Sequence, residues 1–374
     1  APINWLRLFV LGLMIAVGVA GGLALTLRER LRAAAEGALT EVIEREASLA
    51  LGVPLRLDAL RLDLGRLAVE TAGVALGPDG AVGRVGAVRV RLLPRTSWRQ
   101  RRPVLDVEAA ALRLDLPMLL QALPPPSLPA VPMPAFRLRR LAVRDVEVTL
   151  VDGAVPLRIG AGGVDGQVTA DAATGRLRFA LRAAPALLHR GARTLTFTTA
   201  AARGGERADG WWLQALELAG DGVALRGEGE ADALPLRGSI DLARLAVLEP
   251  TLQRLGGAAG LEVRLEGPLA AARLRGAVRV PDLVLDGRVL GVVETELDLD
   301  AERLQVTSAQ LRGCGGALRG RGTLQFDAAL TYQARLDWSG LAVRDLAALA
   351  GVAAPAVGAD GEGEVSGALE PWRI

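Results

Sequence analysis

The chain has no lysine: its 44 basic residues are all arginine, set against 42 acidic ones. The two signs alternate and the formal net charge is only +2, so no basic block exists to grip nucleic acid. Cys314 is the only cysteine, which excludes an intramolecular disulfide and a thiolate metal cluster. His189 is the only histidine, and no second one is available for a metal pair. Aromatic residues make up 3% of the chain, too few for base-stacking surfaces or sugar-binding platforms. Any apolar lining must be aliphatic.

The residues left for chemistry carry little. Cys314, between Gly313 and Gly315, has no evident basic partner and reads as a small residue at a strand turn. Asp298 and Asp300 share a strand face, as carboxylates on any wet acidic strand do. The glycine-rich run from Gly160 to Gly166 lacks the lysine and the following helical pattern of a phosphate loop. The expectation is a protein that is not an enzyme, with no catalytic residue, no metal and no cofactor.

What the chain does have is one long apolar run. Leu8 to Leu27 carries no charge, and about 20 residues is the length a helix needs to cross a membrane. A signal peptide has a shorter apolar core; Gly21, Gly22 and Ala24 keep cleavage open as the alternative. Arg7 precedes the run and Arg28, Arg30 and Arg32 follow it, so flanking charge does not settle orientation. Helical spacing continues from Arg28 to Leu51 until Gly52 and Pro54 end it.

After Pro54 the period changes to two. Leu60 and Leu62, Val88 and Val90, Leu112 and Leu114, Val146 and Val148, Leu261 and Val263, and Leu297 and Leu299 each alternate with charged or polar neighbours. Turn residues separate the runs, among them Pro78-Asp79-Gly80, Asp152-Gly153, Asp286-Gly287 and Gly315-Gly316. Such alternation predicts antiparallel sheet with one wet face, whereas strands buried on both faces read as continuous apolar runs.

Leu225-Arg226-Gly227-Glu228-Gly229 followed by Ile240-Asp241-Leu242 is echoed by Leu318-Arg319-Gly320-Arg321-Gly322 followed by Leu336-Asp337-Trp338. This repeat predicts stacked sheet units in an elongated array. The segment from Pro117 to Pro134 holds seven prolines and cannot be a central strand; a linker and a loop strapped along the sheet both fit it. The expected organisation is a transmembrane anchor at 1–28, an amphipathic helix at 29–53, a first sheet segment at 54–116, a proline-rich crossing at 117–135, and a repeat-built groove at 136–374, cut inside a longer protein.

The anchor, the amphipathic strands, the segment PPPSLPAVPMP leading into Phe136-Arg137-Leu138-Arg139-Arg140-Leu141, and the repeated Gly-x-Gly turns together resemble the AsmA-like superfamily, nearest to the N-terminal part of the TamB family. The resemblance covers nearly the whole chain and rests on pattern and order. It implies a single-pass protein of the bacterial inner membrane with its body in the periplasm, mainly β, its sheet curved into an open apolar groove. It also implies phospholipid as the ligand, or help in outer-membrane protein assembly beside an Omp85-type barrel partner.

Periodicity nominates Leu60, Leu62, Val88, Val90, Leu112, Leu114, Val146, Val148, Leu261, Val263, Leu297 and Leu299 as groove lining. If those faces stay open, acyl chains can lie on them and transfer needs no chemistry. If they close on one another, they form an ordinary core and the protein is a structural spacer.

Overall fold

A computed structural model describes residues 29–51, 53–63, 65–122, 137–151, 156–170, 176–207, 209–229, 233–247, 254–313, 315–326, 331–342, 344 and 357–368. The expected membrane span, Cys314, most of the proline-rich segment and the Asp152-Gly153 turn lie outside them. Among the described residues no helix is long and apolar enough to cross a membrane.

Helix α1 (Glu29–Leu51) is followed by strands β1 (Leu55–Asp63), β2 (Ala68–Leu76), β3 (Gly83–Val85) and β4 (Ala87–Leu92). Then come helix α2 (Pro94–Gln100), β5 (Val104–Ala110), β6 (Arg113–Asp115), helix α3 (Leu116–Ala122), β7 (Arg137–Val151), β8 (Leu157–Ala170), β9 (Leu177–Ala183) and β10 (Ala186–Arg190). The remaining strands are β11 (Arg193–Arg207), β12 (Gly210–Gly220), β13 (Val223–Glu228), β14 (Ala233–Asp241), β15 (Leu255–Gly256), β16 (Ala258–Glu266) and β17 (Arg273–Leu285). They end with β18 (Arg288–Leu299), β19 (Arg303–Gly313), β20 (Gly316–Gln325), β21 (Thr331–Ala342) and β22 (Gly358–Ala368). The protein is mainly β, and its 22 described strands belong to one sheet.

That sheet is mixed rather than wholly antiparallel, which corrects the expectation from alternation. β7 runs parallel to both β5 and β6. The chain leaves β5 at Ala110 and re-enters beside its start at Arg137, and a return of that length replaces the tight hairpin that antiparallel neighbours use. Alternation reports that one face is wet; it carries no information on the direction of the neighbouring strand.

By Cα proximity the chain divides into a first unit, Ala1–Gly191 with Thr199–Trp211, and a second, Ala192–Thr198 with Trp212–Ile374. In the first unit β1 is kinked at Ala59, which takes φ 43°, while its register on β2 is unchanged from Asp58↔Gly73 to Leu60↔Thr71. Across the kink Leu60 and Leu62 join the same core as Leu55, with Leu57 packed against it, although a spacing of three from Leu57 would put Leu60 on the opposite side of a regular strand. Turns fall where glycine and aspartate predict them: Asp286 and Gly287, at φ 50° and 78°, close the β17–β18 hairpin with both central residues left-handed. The two sequence repeats fall on equivalent hairpins, β13–β14 and β20–β21.

Candidate apolar ligand face

The apolar strand faces of the two units meet different fates. In the first unit it is a closed core that joins Ile43 and Ala47 of α1 to Leu60, Leu62, Val69, Val88, Val90, Leu105, Val107, Leu138, Val168 and Leu177. Val90 and Leu177 are 0% exposed. Phe179 and Trp211 pack at its margin, ring centroids 5.7 Å apart. Leu60, Leu62, Val88 and Val90 therefore present no surface to a ligand. Leu112, Leu114, Val146 and Val148, nominated by the same alternation, are half-buried, and β6 is only Arg113–Asp115, so Leu112 precedes it.

In the second unit the buried cluster is small: Leu234, Leu236 and Val263, with partly buried leucines packed around them. From β18 to β22, Leu341 is the only buried side chain among the described residues. Yet the register lines up apolar residues continuously across the strands. Leu234 pairs with Leu265, Leu265 with Leu274, Leu274 with Leu299, Leu299 with Leu304, Leu304 with Leu324, and Leu324 with Tyr332. Beside this leucine row runs a second, through Leu236, Val263, Gly276, Leu297, Val306, Gly322, Ala334 and Val365. Leu261 sits in a third, between Gly238 and Val278. At the usual interstrand spacing the leucine row spans roughly 30 Å from β14 to β21.

Glycine interrupts these rows where a neighbour leans across. Gly276 has φ 152°, and a Cβ there would overlap the carbonyl oxygen of Glu262. At Gly322 a Cβ would press on the Gln333 carbonyl oxygen and on Ala334. The leucine row carries no glycine, whereas the second row is interrupted by bare backbone at Gly276 and Gly322.

The opposite face is charged and paired. Asp298 accepts hydrogen bonds from both Arg273 and Arg275 there, and at the β17–β18 turn Asp286 accepts one from Arg254. The Arg273 hydrogen bond holds the Asp298 carboxyl below the usual carboxylate range. Arg254 does the same for Asp286, and the backbone N–H groups of Glu302 and Arg303 do so for Asp300. A hollow of about 580 Å³ is lined by Arg237, Glu262, Arg279 and Glu294 together with Leu261 and Val278 of the third row. Its charges face one another, as in the Arg279–Glu294 pair at 3.4 Å. No group of His, Cys, Asp and Glu among the described residues could hold a metal ion.

The chain matches no family model, no curated protein and no solved structure. Of the nominated residues, Val263, Leu297 and Leu299 stand in the apolar rows of the second unit with Leu261 alongside. Leu234, Leu236, Leu265, Leu274, Leu304, Val306 and Leu324, not nominated from sequence, complete them. The period-two signal marks these residues too; what places them in rows is strand register, which no single strand encodes.

Proposed function

We propose that this chain is a membrane-anchored, non-enzymatic carrier that conducts phospholipid along the apolar face of its second unit, from the inner toward the outer membrane of a bacterial envelope. The observation behind this reading is the row of leucines from Leu234 to Leu324, half-buried from Leu265 onward and continuous across successive strands. Each methylene of an acyl chain laid on such a face contributes up to about 0.8 kcal/mol. One leaflet's chain is roughly 15 Å long, so the row is long enough to pass a chain from strand to strand without release into water. Charged head groups stay at the rim, and the carrier performs no covalent step.

The test is full-length protein in vesicles containing a phospholipid with a photoactivatable acyl chain. Crosslinks at Leu297, Leu304 and Leu324, lost in Leu297→Asp, are the expected result. Crosslinks confined to residues 1–28 would overturn the reading.

A further inference from the structure

We infer that the segment Leu93–Pro103, with α2 at its centre, is a foot that seats the first unit on an anionic phospholipid surface. Trp98 is 87% exposed. It stands on a short helix among Arg95, Arg99, Arg101 and Arg102, and no acidic residue occurs between Leu93 and Leu105. Arg95, Arg99 and Arg101 are exposed and form no ion pair among the described residues. An amphipathic indole ringed by guanidinium groups is the side-chain set that the headgroup layer favours: the ring lies at the hydrocarbon boundary and the arginines reach phosphates.

The exposure is built in. The Ser97 hydroxyl accepts a hydrogen bond from the Val104 N–H at 2.9 Å and donates to the Leu93 carbonyl at 2.8 Å. The Leu93 N–H donates to the Val104 carbonyl at 2.8 Å. These bonds close the base of the segment and hold Trp98 away from the core.

A separate observation fixes the partner. α1 runs antiparallel to β1, with Ser48 beside Leu55, Glu44 beside Leu57 and Glu36 beside Leu62. From Glu36 back to Glu29 the helix advances roughly 10 Å beyond the level of Leu62. Leu62 pairs with Val69 and Val69 with Val90, and from Val90 to Leu92 the strand advances roughly 7 Å in the same direction before α2 begins. The start of α1 and the Trp98 segment therefore emerge at one end of the first unit. The sequence preceding α1 is the uncharged run Leu8–Leu27. A membrane holding that run would meet α2 at the same level, and the arginines select for its anionic lipids.

The experiment uses the full chain in vesicles whose lipids carry bromine near the headgroup, either phosphatidylglycerol or phosphatidylcholine, and compares tryptophan quenching with that of Trp98→Phe. Trp98 makes no ring contact among the described residues, so the variant folds, and quenching of the other tryptophans cancels in the difference. The expected result is a quenched component in phosphatidylglycerol that is absent in Trp98→Phe. Its docked-to-undocked ratio should fall on the order of five-fold for each of Arg95, Arg99 and Arg101 changed to Gln. Equal quenching of wild type and Trp98→Phe, or an equal component in phosphatidylcholine, would overturn the proposal. The readout belongs to the first unit, so its failure is distinct from failure of acyl carriage on the second.

Discussion

The carboxylate of Glu44 accepts a hydrogen bond from the backbone N–H of Leu57 at 2.6 Å. Glu36 does the same for Leu62 at 2.9 Å, and the Ser48 hydroxyl for Leu55 at 2.7 Å. Three side chains of one helix thus occupy donors along the edge of β1 that β2 leaves free. An exposed strand edge invites pairing with another chain, and α1 closes this one with acceptors of its own.

Replacing Glu44 and Glu36 together with alanine should destabilise the first unit by about 1–3 kcal/mol, since partly buried donors lose charged acceptors. Amide exchange at Leu57 and Leu62 should accelerate. The variant should also self-associate in a concentration-dependent manner, readable by sedimentation; an unchanged exchange pattern would refute the edge-closing role.

The different fates of the two units' apolar strand faces predict opposite outcomes for one substitution. Val90→Asp places a carboxylate at a site with no exposure, and the first unit should lose about 3 kcal/mol or more, or fail to fold. Leu297→Asp acts on a half-buried row, where the carboxylate reaches water, and should cost about 1 kcal/mol or less while removing bound lipid. Denaturant titration of both variants, with lipid extraction of the second, separates fold from function.

Acid should weaken the second unit. Asp298, Asp286 and Asp300 all have lowered folded-state pKa values, from the hydrogen bonds of Arg273, Arg254 and the Glu302 and Arg303 backbone respectively. Their stabilisation is complete above the unfolded aspartate pKa of about 3.9 and is lost as pH falls through the lowered folded values. Asp298→Asn should be less stable than wild type at neutral pH and should converge with it as the pH drops well below 4. Urea unfolding at a series of pH values checks this.

Two glycines with positive φ separate backbone strain from crowding. Gly287, at φ 78° with open space around it, should tolerate alanine at about 1 kcal/mol. Gly276, at φ 152° and pressed against the Glu262 carbonyl, should lose about 1–3 kcal/mol more. Thermal melts of Gly287→Ala and Gly276→Ala measure the difference, and equal melting temperatures would mean that β16 and β17 do not approach as described.

Strand content was legible because side-chain direction in a strand alternates residue by residue, a property of local geometry that Val88-Arg89-Val90 or Leu261-Glu262-Val263 displays unaided. The turn at Asp286-Gly287 was legible because only certain residues adopt left-handed backbone without strain. The poverty in histidine, cysteine, lysine and aromatics likewise limited the chemistry from the sequence by itself.

What the tertiary structure decided is where the apolar face is closed. Val90 and Leu297 read alike in sequence, each an aliphatic residue flanked by charge. Val90 is sealed within a cluster to which α1 brings Ile43 and Ala47 and β9 brings Leu177, residues distant in the chain, whereas Leu297 is half-buried. The parallel entry of β7, the edge acceptors Glu36 and Glu44, and the emergence of Trp98 beside the start of α1 were decided there too. Alternation specifies which side of a strand is apolar, and only contacts between residues far apart in sequence specify what, if anything, lies upon it.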